Sequence, residues 1–317
     1  MHTNIKDLKV GERYTDVYIV RQHAVKSTKS GGQYLNLTLS DKTGDINANC
    51  WNIPPAFNPD LIVDGYFIGV VFQAEEYQGK MQARVDNIKI ITQETGFSPA
   101  EIIPSSPESP AAMYADIINT INGMHNPELQ FLCGNIIQEN QDALLKCPGA
   151  KSMHHAEVGG LLHHMTGMLA IGKSVANLFP NIDKDLLFTG IILHDICKIS
   201  EFTLGPVGLC TDYSMRGKLL GHISMGVSYI EAKCREMNLS GDIMTLVAHM
   251  LLSHHRTPEF GSPIAPMFPE AILLSMIDDM DAKMNMAQSV LENVPVGSFS
   301  ERVFGLGNIQ LYNHGQI

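Results

Sequence analysis

A proline- and serine-rich segment, residues 97–111, separates two parts of the chain that have different hydrophobic patterns. It contains four prolines and four serines. Proline fixes φ and lacks a backbone N–H, so a regular element through this segment is not expected. With 317 residues the chain is long enough for two domains. We therefore predict a first domain at residues 1–95, a linker at residues 96–111, a second domain at residues 112–293 and a tail at residues 294–317.

Short apolar runs, with turn residues between them, fill the first domain. Each run is strand-like, and the turns that separate the runs contain glycine, aspartate or both. Five short strands joined by long loops predict a small Greek-key barrel of the OB type, which is a common platform for single-stranded nucleic acid. The predicted strands lie at residues 17–20, 34–39, 46–51, 66–72 and 81–85.

Aromatic and basic side chains of the first domain are candidate contacts to single-stranded nucleic acid. Aromatic rings stack on bases, and lysine and arginine attract the phosphate backbone. Each aromatic residue taken alone is more often a core residue, and the stacking hypothesis depends on the basic residues that accompany them. The candidate substrate-binding residues of this domain are Lys26, Lys29, Tyr34, Trp51, Phe72, Tyr77 and Arg84.

Negative charge is concentrated in the second part of the chain. The formal net charge is −11 at pH 7, of which −1 falls on residues 1–95 and −10 on the remainder. Such a balance argues against non-specific attraction to phosphate backbones, because that attraction comes from clustered lysine and arginine. The first domain is nearly neutral, and its residues 17–40 include basic side chains and no acidic one. If there is a nucleic-acid partner, we expect it on the first domain.

After the linker, apolar residues recur every three or four positions, which predicts an all-α helical bundle. Facing helices of a bundle hold ligands in its interior. No apolar stretch is long enough to cross a membrane, the N-terminal residues lack the form of a secretory signal, and the six cysteines form no CxxC pair. We therefore expect a cytoplasmic protein with reduced thiols and no membrane partner. The many methionines leave a homo-oligomer open, although methionine is more often a core residue.

Histidine and aspartate residues form a spaced series in the second domain, each at the edge of an apolar, helix-compatible run. Imidazole nitrogen and carboxylate oxygen are ligands of divalent cations, and a bound cation polarises phosphoryl oxygen and activates water near neutral pH. A lone histidine is more often a core or surface residue, but seven ordered candidates favour a metal centre. The candidate ligands are His164, His194, Asp195, His222, His254, His255 and Asp278.

Asp195 is the expected centre of this series. His194 and Asp195 come late in an apolar run, so we expect both on one helix that faces the bundle interior, and the aspartate can give one oxygen to each of two metals. Lys198 follows Asp195 by three residues on the same side. Its ammonium is expected either to meet a substrate phosphate or to form a simple ion pair with Asp195. His155 is expected to line the entrance and contact substrate, or to have a structural role.

The order H, HD, H, HH, D resembles that of the HD-domain metal-dependent phosphohydrolases. The segments His155–His164, His194–Lys198 and Ile277–Met284 narrow the resemblance, and together with the predicted barrel they resemble the YhaM family, bacterial 3′-to-5′ exoribonucleases that join an OB fold to an HD domain. The likeness spans nearly the whole chain. Three residues depart from the pattern: Cys197 and Arg256 stand where glycine is usual, and Ser275 stands where histidine is expected. They bear on the shape of the pocket and remove no core ligand.

The resemblance implies the degradation of single-stranded RNA from the 3′ end to 5′-mononucleotides, with single-stranded DNA as a further candidate substrate. It also implies one or two divalent cations, with Mn²⁺ first and Fe²⁺, Co²⁺ or Mg²⁺ as alternatives. We expect Asp195 and Lys198 to be the catalytic residues, with Lys198 adding one positive contact to the substrate. The basic metal set would be His164, His194, Asp195 and Asp278, and a second metal position would be completed by His222, His254 and His255.

Two other classes of function remain open from the sequence. One is a phosphohydrolase of free nucleotides or cyclic dinucleotides, which would use the same metals with the barrel as a regulatory or oligomerising module. The other is a non-catalytic protein that binds single-stranded nucleic acid, and the intact ligand series argues against it. A metal that only stabilises the fold would show itself as unfolding by a chelator rather than as loss of rate.

Overall fold

The chain forms two compact units. The computed structural model describes residues 2–28, 31–55, 57–91, 96–106, 108–151 and 155–315. The first unit consists of Met1–Ser105 and Leu204–Asp212, and the second consists of Ser106–Thr203 and Tyr213–Ile317. No sequence pattern assigned residues 204–212 to the first domain. The boundaries given above for the linker and the tail stay predictions.

Five strands close into a barrel in the first unit. They are β1 (Arg13–Ser27), β2 (Gln33–Asp41), β3 (Gly44–Cys50), β4 (Phe67–Tyr77) and β5 (Lys80–Ile90). Their order around the barrel is β1-β2-β3-β5-β4. β3 and β5 are parallel, and the other neighbouring pairs are antiparallel. This is the five-stranded barrel of an OB-like fold, so the predicted architecture of the first domain is confirmed.

Alternate residues of the strands fill the barrel interior, as the strand period requires. Leu35, Leu37 and Leu39 of β2 are fully buried, together with Phe72 of β4. Tyr18 of β1 is buried with them. The phenolic hydroxyl of this tyrosine donates a hydrogen bond of 2.8 Å to a backbone oxygen near the N-terminus. Its polar end is therefore satisfied while its ring packs in the core.

The N-terminal segment is held to the barrel by His2, whose side chain lies buried between two carboxylates. Its Nδ1 atom is 3.2 Å from Asp16 Oδ2, and its Nε2 atom is 3.1 Å from Asp41 Oδ2. Burial lowers the pKa of His2, but hydrogen bonds and charges of the two carboxylates outweigh it and raise the pKa to about 9. Against their own burial, the pKa values of both aspartates are lowered. The imidazolium form is therefore the one that the folded barrel stabilises.

Helices make up most of the rest of the chain. Several begin at a serine, asparagine or aspartate whose side chain accepts a backbone N–H of the first turn, as at Ser109, Asn126 and Asp183. The helices are α1 (Pro99–Ile102), α2 (Pro110–Asn122), α3 (Pro127–Glu139), α4 (Gln141–Leu144), α5 (Gly160–Ala176), α6 (Lys184–Leu193), α7 (Lys198–Glu201), α8 (Met215–Glu236), α9 (Gly241–Ser253) and α10 (Pro269–Leu291).

Six helices of the second unit pack against one another. α10 packs against α5, α6 and α9, and α8 packs against α7 and α9. Helix α8 is kinked at Gly221, whose φ of 70° and ψ of 160° are outside the helical range. Glycine has no Cβ and adopts this conformation without steric strain. The predicted helical bundle is confirmed for this unit.

A short helix and a two-stranded sheet were not predicted. Helix α1 lies inside the segment that was expected to be irregular; Pro99 is its first residue, where the missing N–H is not needed. Strands β6 (Phe202–Leu204) and β7 (Cys210–Tyr213) form a two-stranded sheet between α7 and α8. Strands of three or four residues are too short to show a clear period of two in the sequence.

All six cysteines are buried and none is joined in a disulfide. This agrees with the expected reduced state. Among the helices assigned in the described residues, none combines the length and the apolar character that crossing a membrane requires.

Candidate metal centre and barrel face

The structure brings the seven predicted metal ligands together in the second unit. Four of them, His164, His194, Asp195 and His254, are buried. Ligand atoms of His164, His194 and Asp195 all lie within 4.8 Å of one another, and the same holds for His222, His254 and His255. His164 and Asp278 lie within α5 and α10, His222 follows the kink of α8, and the pairs His194–Asp195 and His254–His255 follow the ends of α6 and α9.

The His194–Asp195 pair lies in a turn, so the prediction that both residues are on one helix is wrong. Helix α6 ends at Leu193, and the chain then continues through a turn to α7. The backbone N–H of Lys198 donates to the carbonyl of Asp195 at 2.9 Å, and that of Ile196 donates to the carbonyl of Leu193 at 3.2 Å. These bonds between residues three apart fix a tight turn that holds the pair in the interior.

Three of the histidines are oriented by backbone carbonyls. The Nδ1–H groups of His194 and His254 donate to carbonyls three residues earlier, at 2.9 and 2.7 Å, and that of His255 donates to the carbonyl of Phe260 at 2.7 Å. A ring that donates through Nδ1 leaves Nε2 as its ligand atom. All three imidazoles are therefore held in the tautomer that binds a cation through Nε2.

Two carboxylates orient the remaining histidines, and sequence reasoning identified neither. Asp281 Oδ2 lies 2.7 Å from Nδ1 of His164. Glu201 Oε1 lies 3.1 Å from Nδ1 of His222 and also accepts the backbone N–H of that histidine at 2.9 Å. A carboxylate behind a ligating imidazole fixes its orientation and raises its basicity. Asp281 follows Asp278 by three residues on α10, and this spacing could have indicated in the sequence that Asp281 lies beside the ligands. No sequence pattern indicated the role of Glu201.

Asp195 lies between two groups of histidines. Its Oδ2 atom is 3.3 Å from Nε2 of His194 and 3.9 Å from Nε2 of His164. Its Oδ1 atom is 3.3 Å from Nε2 of His222 and 3.8 Å from Nε2 of His254. One carboxylate oxygen therefore faces each group. A carboxylate in this position is able to give one oxygen to each of two cations.

The first group of ligands is completed by Asp278. Its Oδ1 atom is 3.2 Å from Nε2 of His164 and 4.0 Å from Nε2 of His194. The second group is completed by His255, whose ring centroid is 4.0 Å from that of His254. Each group thus offers at least three nitrogen or oxygen atoms around a common point.

The unmet hydrogen bonds of the cluster fit a divalent cation. Among the described residues, the buried polar atoms without a hydrogen-bond partner include Asp195 Oδ1 and the Nε2 atoms of His194, His222 and His254. Such atoms are rare in folded proteins, because each one loses its bonds to water. Here they point to one region and are all metal-ligand types. The residues present therefore fit a divalent metal.

The electrostatics of the cluster also favour cation binding. Burial raises the pKa of Asp195, but the charges of Lys198 and the neighbouring histidines outweigh it and lower the pKa well below its ordinary value. Burial, together with neighbouring imidazoles, lowers the pKa of His254 well below its ordinary value. The carboxylate is therefore ionised and this imidazole neutral near pH 7, which are the forms that bind metals.

Lys198 forms an ion pair with Asp195. Its Nζ atom is 2.7 Å from Asp195 Oδ2 and also donates to the backbone oxygen of Gly149 at 2.7 Å. Burial lowers the pKa of this lysine, but Asp195, together with the charges of Asp278 and Glu201, outweighs it, so the net shift is upward. The ammonium is therefore charged and in contact with one carboxylate oxygen of Asp195. Of the two alternatives left open by the sequence, the ion pair is the one seen in the structure.

His155 lies in the interior rather than at an entrance, with 2% of its surface exposed. Its Nε2 atom is 2.8 Å from Asp281 Oδ2, the oxygen that also binds His164. The expected position of His155 at an entrance is therefore wrong, and its contact with substrate stays a prediction. The sequence showed only that His155 precedes His164 by nine residues, and this spacing does not indicate how deeply a loop residue is buried.

The three departures from the family pattern lie outside the ligand set. Cys197 is buried, and burial raises the pKa of its thiol to about 11. Arg256 has a φ of 69°, the left-handed conformation in which glycine is more usual. The hydroxyl of Ser275 donates to the carbonyl of Ile272 in its own helix at 2.8 Å. None of these side chains replaces or blocks a ligand.

On the barrel, two of the predicted aromatic residues form one stacked pair. The rings of Tyr34 on β2 and Trp51 just after β3 have centroids 4.4 Å apart and an interplanar angle of 28°. Trp51 is 46% exposed, and Tyr77 at the end of β4 is 59% exposed. Exposed rings on a barrel surface can stack on bases. Phe72 is fully buried in the barrel core, so its predicted stacking role is wrong.

The predicted basic residues of the barrel have local partners. Lys26 Nζ donates to the side-chain oxygen of Asn36 at 2.7 Å. Arg84 donates to Gln73 at 2.6 Å and pairs with Glu75 at 3.0 Å. Lys29 lies outside the described residues. Both described cations remain at the surface, where they are able to meet phosphates.

The helical frame and the H, HD, H, HH, D ligand set define an HD-domain protein. The family described as HD domain matches residues 161–283, which contain all seven proposed ligands. Over 312 residues the chain is 36% identical to the 3′-5′ exoribonuclease YhaM of Halalkalibacterium halodurans, covering 98% of this chain and 96% of that protein. It is also 36% identical over 314 residues to the 3′-5′ exoribonuclease YhaM of Listeria monocytogenes, covering 99% of both. The chain belongs to the YhaM family, and the resemblance noted in the sequence is confirmed.

Among solved structures, the barrel is similar to the second OB-fold domain of replication protein A from Methanococcus maripaludis. That match has 27% sequence identity and a TM-score of 0.25, and it covers 30% of this chain and 98% of that domain.

Proposed function

We propose that this chain is a metal-dependent exoribonuclease that removes nucleotides from the 3′ end of single-stranded RNA. The observation that carries the proposal is the position of Asp195, with one oxygen facing each of two histidine groups. The names of the family relatives support the 3′-to-5′ direction of degradation and the RNA substrate. Hydrolysis releases 5′-mononucleotides, and single-stranded DNA is a second substrate.

The chain holds two divalent cations in this proposal. One is bound by His164, His194, Asp195 and Asp278, and the other by Asp195, His222, His254 and His255. Nitrogen and oxygen ligands in these numbers suit Mn²⁺, and also Fe²⁺ or Co²⁺; Mg²⁺ prefers sites built mostly from oxygen. When bound, the cations supply Lewis-acid activation of water and of the phosphoryl group.

The protein groups around the ligands position them before the reaction. Backbone carbonyls and the carboxylates of Asp281 and Glu201 hold the imidazoles in one tautomer. Lys198 holds Asp195 in its ionised form through a contact of 2.7 Å, so we assign it a positioning role. Burial of these groups excludes bulk water, which strengthens each charge interaction.

The barrel holds the single strand in this proposal. The exposed ring of Trp51, supported by Tyr34, stacks on a base, and Tyr77 offers a second exposed ring. Lys26 and Arg84 contribute attraction to the phosphates. With so few cations, the salt dependence of binding is shallower than for a strongly basic protein.

A linear RNA and a circular RNA of the same sequence test the proposal. With Mn²⁺ and a 5′-labelled single strand, the expected products are a ladder that shortens with time from the 3′ end. A circular RNA of the same sequence is expected to stay intact, because it has no end. Cleavage of the circle would establish an endonuclease, and hydrolysis of free or cyclic nucleotides with intact linear RNA would favour the alternative phosphohydrolase.

A further inference from the structure

A second cluster of metal-ligand side chains lies beside the main centre and shares no ligand with it. It consists of His155 and Glu157 in the loop before α5 and His163 in the first turns of that helix. Ligand atoms of the three residues all lie within 4.8 Å of one another. The exonuclease proposal gives this cluster no role.

The spacing of the three ligand atoms matches a tetrahedral cation site. The Nδ1 atoms of His155 and His163 are 3.2 Å apart, and Glu157 Oε1 is 2.8 Å from the second and 3.7 Å from the first. Tetrahedral Zn²⁺ has bonds of about 2.0–2.1 Å to histidine nitrogen, which places its ligand atoms roughly 3.3 Å apart. The three observed separations lie around this value. A small movement of each side chain would bring all three ligand atoms to bonding distance from one ion.

The loop that forms the cluster has an unusual backbone. His155 has a φ of 53°, in the left-handed region that residues other than glycine rarely adopt. Its carbonyl oxygen accepts the N–H of Gly149 at 2.7 Å, which holds the loop against the preceding segment. Such strain at a non-glycine residue is found most often at functional sites. Here it turns the imidazole of His155 towards Glu157 and His163.

His155 is also hydrogen-bonded to a carboxylate, as metal-binding histidines often are. Its Nε2 atom is 2.8 Å from Asp281 Oδ2, so the ring is oriented by a carboxylate on the side away from Glu157. The same oxygen of Asp281 lies 2.7 Å from Nδ1 of His164. One carboxylate thus orients an imidazole of each cluster, which is the arrangement found behind metal-binding histidines.

The third ligand is an ionised carboxylate. Burial raises the pKa of Glu157, but the hydrogen bonds and charges of His155 and His163 outweigh it and lower the pKa to about 2. The side chains of Glu157 and His163 are 17% and 27% exposed, so an ion and a water molecule can reach them from solvent. Two imidazoles, one carboxylate and an open fourth position form a common zinc site.

We propose that His155, Glu157 and His163 form an accessory site for a divalent cation, with Zn²⁺ as the preferred ion. The site is separate from the seven ligands of the main centre and is connected to it through Asp281. The rival explanation is a simple ion pair between His163 and Glu157 that binds no metal.

Metal content per chain tests this site without any RNA. The full chain is stripped with a chelator, dialysed against Zn²⁺ and analysed by mass spectrometry for bound metal. We expect His163→Gln and Glu157→Gln each to bind one Zn²⁺ fewer than the wild type. His125→Gln, which changes an exposed histidine outside both clusters, is the matched control and is expected to bind as many ions as the wild type.

The Asp195→Ala background separates the two centres. In that background the main centre is impaired, and His163→Gln is still expected to remove one further ion. Thermal unfolding by circular dichroism shows which variants are folded, and the nearly isosteric Glu157→Gln serves if His163→Gln fails to fold. Equal Zn²⁺ content in the wild type and a folded Glu157→Gln variant would overturn the proposal and leave the ion pair as the explanation.

Discussion

Asp281 accepts an N–H from Nδ1 of His164 at 2.7 Å, and Nε2 of the same ring lies 3.2 Å from Asp278. The two aspartates are three residues apart on α10, so they share a face of the helix. Gly167 on α5 allows this contact, because a Cβ at that position would overlap the carboxylate of Asp281. One face of α10 therefore supplies Asp278, a proposed metal ligand, and Asp281, the carboxylate that orients the imidazole of His164.

Asp281→Asn is expected to weaken metal binding by about 10- to 100-fold, because the orienting carboxylate behind His164 is lost. Activity at low Mn²⁺ should fall by a similar factor and recover in part at high Mn²⁺. The measurement is the exonuclease rate as a function of Mn²⁺ concentration. Asp279→Asn on the same helix is the matched control, since Asp279 is exposed and pairs only with Lys283 among the contacts described for it. If both variants behave alike, the orienting role of Asp281 is wrong.

Trp51→Ala is expected to weaken binding of single-stranded RNA by removing a stacking surface. Base stacking on an aromatic ring contributes about 1–3 kcal/mol, which corresponds to a loss of roughly 5- to 150-fold in affinity. Fluorescence anisotropy with a labelled oligonucleotide measures the change. Val10→Ala, at another exposed position of the first unit, should leave the affinity unchanged. An unchanged affinity for Trp51→Ala would exclude this face as the binding surface.

Metal addition is expected to stabilise the second unit without being required for folding. The histidine groups are oriented by carbonyls and carboxylates, so the site exists before a cation binds. A cation at 100 times its dissociation constant adds about 2.7 kcal/mol by mass action. Removal by EDTA should therefore abolish activity and lower the unfolding temperature, while far-ultraviolet circular dichroism at 25 °C stays the same. Complete unfolding by EDTA would instead mean that the metal is structural.

The stability of the barrel is expected to fall at alkaline pH because of His2. Its pKa is about 9 in the folded state, above the ordinary value of 6.5. The contribution is therefore fully present below about pH 6.5 and is lost as the pH rises through about 9. Asp16 and Asp41 have lowered pKa values, so their contribution is present above their ordinary pKa and is lost as the pH falls towards the lowered values.

Thermal unfolding of the wild type and His2→Gln at pH 6 and pH 9.5 measures the contribution of His2. The unfolding temperature of His2→Gln should be several degrees below that of the wild type at pH 6, and the two temperatures should be nearly equal at pH 9.5. A difference that does not change with pH would show that His2 contributes through packing rather than charge.

Local patterns were sufficient to predict the barrel and to select the histidines and aspartates that the structure brings together. Strand alternation marked β2 and its buried leucines, and the apolar runs flanking His164, His194 and His254 placed these residues in the helical unit. Orientation could not be read in the same way. Phe72 and Trp51 are both aromatic residues in strand-like runs, so the sequence does not distinguish them. Only the register of β4 shows that Phe72 points into the barrel.

Contacts between distant segments were the part that the sequence did not reveal. Glu201 and His222 are 21 residues apart, and the kink at Gly221 brings them together. His155 and Asp281 are 126 residues apart, and α5 and α10 must pack before the pair exists. A residue that orients a ligand needs no particular spacing from it along the chain. Such residues are therefore found from the structure, whereas the ligands themselves follow a recognisable order.

The central claim is that Asp195 joins the two halves of a metal centre that shortens RNA from its 3′ end. The most direct test follows a 5′-labelled single-stranded RNA with Mn²⁺ over time, using wild type, Asp195→Ala and the control Asp279→Ala. We expect a shortening ladder with the wild type and the control, and a rate lower by roughly 10³-fold with Asp195→Ala, since metal activation contributes several kcal/mol. A folded Asp195→Ala variant that shortens RNA at the wild-type rate would contradict the account.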